Sequence, residues 1–414
     1  MSVRLLKNCR EDFPSLVYYP NVVHLDGPAG TQVPQSVMDA MNNYYIHANA
    51  NSHGYFASAN ETDRIIEEVR QKVADFIGAE EPHTISFGQN MTTLNYSLSK
   101  AIGRTLQPGD EIVITQLDHE ANRGPWSSLA ELGVVIKELP LLPDGGLSYE
   151  AINDTITDRT KLVAVGLASN ALGTINDVAP IRSRAQEVGA WLALDAVHYA
   201  PHLLLDAQSL DCDFLLCSAY KFYGPHVGIL YTRPGLMDQL ETDRLVTQEQ
   251  NAPYRIETGT LNHAALAGVG AAIDYIAQFG EGDNFRMQIL DAMGKVHEHE
   301  FYLAKKLYEG LSKIPGLDIY GPSFEDPLRA PTLAFTLAGW RPEQVCATLD
   351  KKDIYAWDGH FYAIRAIEIL GLLDQGGVTR MGISIYNTSE EIDKVLDAVG
   401  QLIQTTPIIV NTHD

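Results

Sequence analysis

The chain has 414 residues, with 53 acidic against 30 basic side chains and a formal net charge of −23. So acidic a surface excludes nucleic acid and anionic membranes as partners, and the length suggests two domains. With 45% apolar and 20% charged residues, the composition is that of a soluble globular protein.

No apolar run approaches the length of a membrane span. The N-terminal MSVRLLKNCREDFPSL carries early acids and is not a secretory signal. Cys9, Cys212, Cys217 and Cys346 form no C-x-x-C pair. They read as reduced thiols, which points to a cytoplasmic protein.

In chain order, RIIEEVRQKVADFIGA (64–79) sets Ile65, Ile66, Val69, Val73, Phe76 and Ile77 on one stripe, with Gly78 as a stop, and predicts a helix. TISFG (84–88), EIVITQ (111–116), LVAVGLAS (162–169), AWLALD (190–195), FLLCSA (214–219) and GILYT (228–232) read as strands. Their apolar residues run on without alternating, as expected when both sheet faces are covered. Strands alternating with helices predict βαβ units, an α/β class and a mostly parallel sheet.

Past residue 280 the pattern changes to a helix over 285–313, strands in LDIYG and TLAFTL, a helix over 342–350, a strand in VTRMGISIY and a final helix. Thr388 and Glu391 form a capping box at the start of that last helix. The expected division is a large domain over 20–280 and a smaller α+β domain from 1–19 and 281–414. Within the latter, AWDGHFYAIRAI (356–367) gathers Trp357, Phe361 and Tyr362 around Asp358, Gly359 and His360. Asp-Gly breaks strands, so this stretch predicts an aromatic loop.

In an open α/β sheet, ligands sit beyond the C-terminal ends of the strands. After TISFG, Thr92 and Thr93 open a helix whose amides suit a phosphate or simply an N-cap. After the following strands come His119, Asn170, Asp195 with His198, and Lys221. A carboxylate ending a strand as apolar as AWLAL is expensive unless paired, and Lys221 follows another such strand. Taken singly, an Asp195–Lys221 salt bridge or a lysine reaching the surface explains each. Taken together, the set suits pyridoxal phosphate, with lysine forming the Schiff base and the carboxylate keeping the pyridine nitrogen protonated. No Gly-x-Gly-x-x-Gly follows the first strand, so a dinucleotide site is the weaker reading.

The order of motifs resembles the aminotransferase class V family, in its cysteine desulfurase and selenocysteine lyase branch. LDGPAGTQVP, LDHEANRGPW, ASNALGTINDV, DAVHYAPH, CSAYKFYGPHVGILY, YRIETGTLN and TRMGISIYNTSEEID carry the likeness over nearly the whole chain. The resemblance implies the fold type I of pyridoxal-phosphate-dependent transferases. It implies that Lys221 is the Schiff-base lysine, that Asp195 pairs with the pyridine nitrogen and that His119 stacks on the ring. His198 and Asn170 fall near the phenolic oxygen. The Met91 amide, Thr92 and Ser218 fall to the phosphate, with Tyr220 in place of a histidine. Thr260 would reach the phosphate of a neighbouring subunit, which implies a homodimer with a shared site. Arg380 would clamp the substrate carboxylate, with His360 and Tyr362 beside it.

One departure matters most. The family's loop carries a cysteine that takes the substrate sulfur as a persulfide, and Tyr362 stands in its position. A phenol forms no persulfide and stays neutral at pH 7. Cys346 reads as core, Cys212 and Cys217 flank a buried strand, and Cys9 lies near a terminus where it could move. The expected activity is therefore pyridoxal chemistry at Cα and Cβ of a small amino acid, a C–S lyase without the persulfide route. A class V aminotransferase or an epimerase is the alternative, and a non-catalytic cofactor-binding scaffold is a third. No metal is expected.

Overall fold

The computed structural model describes residues 9–325 and 328–405, with Leu6 and Pro407. Residues 1–5, 7, 8, 326, 327, 406 and 408–414, which belong to the expected small domain and in part to the N-terminal segment read as no signal, lie outside the described residues.

In chain order the strands are β1 (Val23–His24), β2 (Ile85–Gly88), β3 (Glu111–Thr115), β4 (Val135–Leu139), β5 (Thr160–Gly166), β6 (Trp191–Asp195), β7 (Phe214–Ser218), β8 (Gly228–Thr232), β9 (Leu317–Tyr320), β10 (Thr332–Leu337), β11 (Ile354–Tyr355), β12 (Trp357–Gly359) and β13 (Val378–Gly382). Seven of them form one sheet in the order β2-β8-β7-β6-β5-β3-β4. Only β8 runs antiparallel to its two neighbours, β2 and β7. The unbroken apolar runs follow from coverage on both faces. Val163, Val165, Leu192, Leu194 and Leu215 join a core with the helices Ala57–Ile77 and His263–Ala277. Leu162, Ala164, Ala193, Phe214 and Leu216 join another with the helix Met91–Gly103.

Two local readings are corrected. The helix expected over 64–79 begins earlier, at Ala57, and ends at Ile77 with Gly78 at φ 68° as its left-handed cap. β4 escaped notice because it is an edge strand carrying Lys137 and Glu138, with little of the apolar run that marks its neighbours.

The C-terminal part builds an antiparallel sheet in the order β12-β13-β10-β9, packed on the helices Phe285–Leu311, Pro342–Asp350 and Ser389–Leu402. Both halves of the Thr388–Glu391 capping box are made. WDG, expected as loop, is the strand β12: Trp357, Asp358 and Gly359 pair with Arg380, Thr379 and Val378 of β13. Asp-Gly is tolerated there because β12 lies at the sheet edge and bonds on one side only. The aromatic loop is thus confined to residues 360–363.

The segments near the expected boundary at residue 20 pack across it. Phe13 sits edge-on against Tyr223, Tyr275 and Tyr386, inside the larger core. Val23 and His24 pair with Ile354 and Tyr355 of the C-terminal part. No helix among the described residues is long and apolar enough to cross a membrane.

Candidate active site

The C-terminal ends of β3, β5, β6 and β7 open onto one cavity. Met91, Thr92, His119, Asn170, Asp195, His198, Ser218, Tyr220 and Lys221 all line it. Thr92, His119, Asn170, Asp195, His198 and Lys221 were singled out because they follow strand ends, and Met91, Ser218 and Tyr220 through the family resemblance; the sheet brings those ends to one rim.

β7 ends at Ser218, and a single tight turn over Ala219–Lys221 places the lysine beside it. Lys221 Nζ donates to the carbonyls of Pro28 and Ala29, the latter at 2.9 Å. The GPAG motif therefore serves as the cradle of the amine. No Asp195–Lys221 ion pair is present among the described residues, so the salt-bridge explanation of these two groups fails. Burial, with the charge of Arg380, pushes Lys221 down to about 7, against the pull of Asp195 and Asp26. The Tyr220 ring lies 4.9 Å from the amine and stacks on His226 at 4.5 Å.

Asp195 ends β6 and is 8% exposed. The Val197 amide donates to one of its oxygens at 2.9 Å, and no described residue donates to the other. Burial pushes it up to about 7. Next to it lies Asp118, a carboxylate that the sequence reading passed over. It accepts from Gly166 N and from Asn122 Nδ2, each at 3.0 Å, and so ties the end of β3 to β5. A Cβ on Gly166 would come 2.8 Å from Asp118 Oδ1, so that glycine is what admits the carboxylate. Burial raises Asp118 to about 6. The signal was available: Asp118 immediately precedes His119 after an apolar strand.

His119 caps the turn Glu120–Asn122, its Nδ1 accepting from Ala121 N at 2.9 Å. Burial, aided by Lys221 and Arg380, pushes it down to about 4, so its ring is neutral at pH 7. His198 Nε2 lies 3.0 Å from Thr332 Oγ1, and burial holds it well below the usual histidine range.

At the other end of the cavity, Asn90 caps the helix Met91–Gly103 by accepting from Thr93 N at 2.9 Å. Thr93's amide is thereby used, which corrects the expectation that it was free. Met91 N donates to Ser218 Oγ at 3.1 Å, so two of the three expected phosphate groups already meet. A Cβ on Gly228 would come 2.3 Å from the Asn90 carbonyl carbon. The helix N-terminus can sit this close to β8 only because residue 228 is glycine.

Four expected residues do not line the cavity. Thr260 is exposed and faces a separate groove shared with Asn90, Thr93 and His226. Arg380, on β13, is 3% exposed and reaches the rim, donating to Asn170 O at 3.0 Å. Burial pushes it down to about 9. Phe361, absent from the sequence-based set, lays its ring 4.0 Å from the Arg380 guanidinium carbon. Tyr362 packs its ring against His119 with centroids 5.4 Å apart, and His360 Nδ1 accepts from Tyr362 N at 3.1 Å.

These residues fit pyridoxal phosphate. A buried carboxylate keeps an oxygen without a donor, a half-buried amine has no carboxylate partner, and a helix N-terminus beside a hydroxyl suits a phosphate. No group of three His, Cys, Asp or Glu side chains among the described residues is placed to hold a metal.

The comparisons with known proteins agree with this chemistry. The family model for aminotransferase class V matches residues 23–395. A cysteine desulfurase of Pectobacterium atrosepticum is 32% identical over 94% of this chain and 96% of its own. A probable cysteine desulfurase of Streptomyces coelicolor is 34% identical over 94% of this chain and 95% of its own. Among solved structures, the apo cysteine desulfurase from Thermococcus onnurineus NA1 superposes with a TM-score of 0.88 at 30% identity, over 97% of this chain and 99% of that one. The chain belongs to the aminotransferase class-V family, as a pyridoxal-5'-phosphate-dependent enzyme of fold type I.

Proposed function

We propose that this enzyme acts at Cα and Cβ of a small amino acid as a C–S lyase that forms no protein persulfide. The observation that carries the reading concerns thiols. The loop over the cavity presents Tyr362, and Cys9, Cys212, Cys217 and Cys346 are all buried. Cys9 is fixed against Ile385 O, not mobile at a terminus, and burial pushes its thiol up to about 11. None offers a thiolate to a departing sulfur.

The bound cofactor supplies an electron sink for negative charge at Cα. Around it, the residues divide the work. Lys221 Nζ, poised near neutrality, takes the Cα proton. Arg380 orients the α-carboxylate from the rim. Asp195 would hold the proton on the pyridine nitrogen, and neutral His119 would lie against the ring. His198 and Asn170 would face the phenolic oxygen. Met91 N, Thr92, Ser218 and Tyr220 would hold the phosphate, with Thr260 arriving from the other subunit of a homodimer. With cysteine as substrate, cysteine and water yield pyruvate, ammonia and hydrogen sulfide. We keep 20–280, and 1–19 with 281–414, as the proposed domains.

The aminotransferase or epimerase alternative draws on the same Lys221, which returns a proton as readily as it removes one. Intact Lys221 and Asp195 weigh against a non-catalytic scaffold. Incubating the holoenzyme with cysteine alone, and with alanine plus a 2-oxo acid, separates these readings. Pyruvate and sulfide in equal amounts from cysteine alone are expected. Product that appears only with the 2-oxo acid makes the enzyme an aminotransferase. Lys221→Ala is expected to lose the visible absorbance of the bound cofactor and all turnover.

A further inference from the structure

The segment 360–363 is the most constrained short stretch near the cavity. Phe361 and Tyr362 are consecutive non-glycine residues in the left-handed region, at φ 52° and 59°. Neither type favours that conformation, and such strain persists only where the surroundings impose it. Here they do. Asn170 Nδ2 donates to Phe361 O at 2.9 Å, and Glu120 N donates to Tyr362 O at 2.7 Å. Both partners belong to loops that follow strands of the large sheet and flank cavity-lining residues. The loop is therefore pinned across the rim between His119 and Asn170.

The two aromatic rings then meet the two groups that a substrate must pass. Phe361 covers one face of the Arg380 guanidinium, whose Nη1 is already held by Asn170 O. That face is closed to a carboxylate, which is left the nitrogens that Asn170 O does not use. Tyr362 lies against His119 while staying 67% exposed, so it stands at the mouth and not in the core.

We propose that Phe361 and Tyr362 are the specificity-determining residues of this site, and that they restrict the substrate to amino acids with short side chains. Phe361 fixes the direction of the carboxylate on Arg380. That direction sends a long side chain against the Tyr362 ring. This rests on the reading of Arg380 as the carboxylate clamp.

Amino-acid binding to the holoenzyme is read by the change in visible absorbance of the bound cofactor, with alanine, cysteine, methionine and phenylalanine as probes. The wild type is expected to respond to alanine and cysteine. Tyr362→Ala is expected to shift the methionine-to-alanine affinity ratio by about tenfold or more toward methionine, the scale at which an apolar pocket distinguishes side-chain size. Tyr362→Phe keeps the ring and is expected to keep the wild-type ratio. Because the side chain is exposed, the truncated variant should retain its cofactor, and its absorbance confirms that it is folded. A wild type that accepts methionine and phenylalanine as well as alanine overturns the inference and leaves the proposed chemistry standing. So does an unchanged ratio in Tyr362→Ala. A cofactor that responds to no amino acid in any variant overturns the proposed chemistry, and the inference with it.

Discussion

An amine must be neutral to attack an aldehyde, and Lys221 is held near neutrality by burial and by the charge of Arg380. Its pKa is lowered to about 7, so the neutral form dominates above that pH. Cofactor uptake by the apoprotein should therefore quicken as pH rises toward about 7 and level off above it. An unshifted lysine would keep gaining up to about pH 10. Stopped-flow absorbance on apoprotein mixed with pyridoxal phosphate measures this. In Arg380→Met the midpoint should move upward, since one of the depressing charges is gone. Asp195 is shifted the other way by the same burial. A lysine shifted down and a carboxylate shifted up thus face one cavity and titrate in the same pH range, near 7.

The helix Met91–Gly103 and strand β8 show how backbone proximity builds the phosphate end. Gly228→Ala would press a methyl group into the Asn90 carbonyl carbon, which lies 2.3 Å from the ideal Cβ. A cost of about 1–3 kcal/mol is expected, together with weaker cofactor retention, because the displaced helix start carries the Met91 and Thr92 amides. Gly400, in the helix Ser389–Leu402, faces open space. There an alanine should stabilise by about 0.5–1 kcal/mol, through helix propensity alone. Thermal unfolding of the two variants, with cofactor titration of the first, checks both. The strand ends were legible in the sequence because each apolar run stops abruptly at a chemically distinctive residue, as LALD stops at Asp195 and LLCS at Ser218. Of the edge strands, β2 and β9 were legible in TISFG and LDIYG, and β4 and β12 were not. β4 and β12 are paired on one side only, so their sequences carry charges and glycine where a central strand would be apolar.

Contacts distant in sequence were the least legible. Arg380 meets Asn170 across 210 positions, and Asn170 meets Phe361 across 191. Nothing local to either partner announces such a meeting. The same holds for Arg70 and Glu257, 187 positions apart, which form a buried bidentate pair at 2.7 and 3.2 Å. Glu257 also accepts from Phe87 N at 2.7 Å, and so anchors the segment leading to Thr260 onto β2. Glu257→Gln leaves the buried guanidinium only the looser, part-exposed Glu67 at 3.9 Å, at a cost of about 3 kcal/mol, the low end for breaking a buried pair. A clear drop in thermal stability is expected, and the proposed reach of Thr260 into a neighbouring subunit should suffer with it, read as faster cofactor loss on dilution.

All four cysteines are free thiols. Each is buried, and none is paired with another. The folded chain therefore shows solvent no cysteine thiol, although Met287 with its thioether is 48% exposed. A thiol reagent is thus expected to label this protein only as the fold opens, so that the rate of labelling reads out its opening.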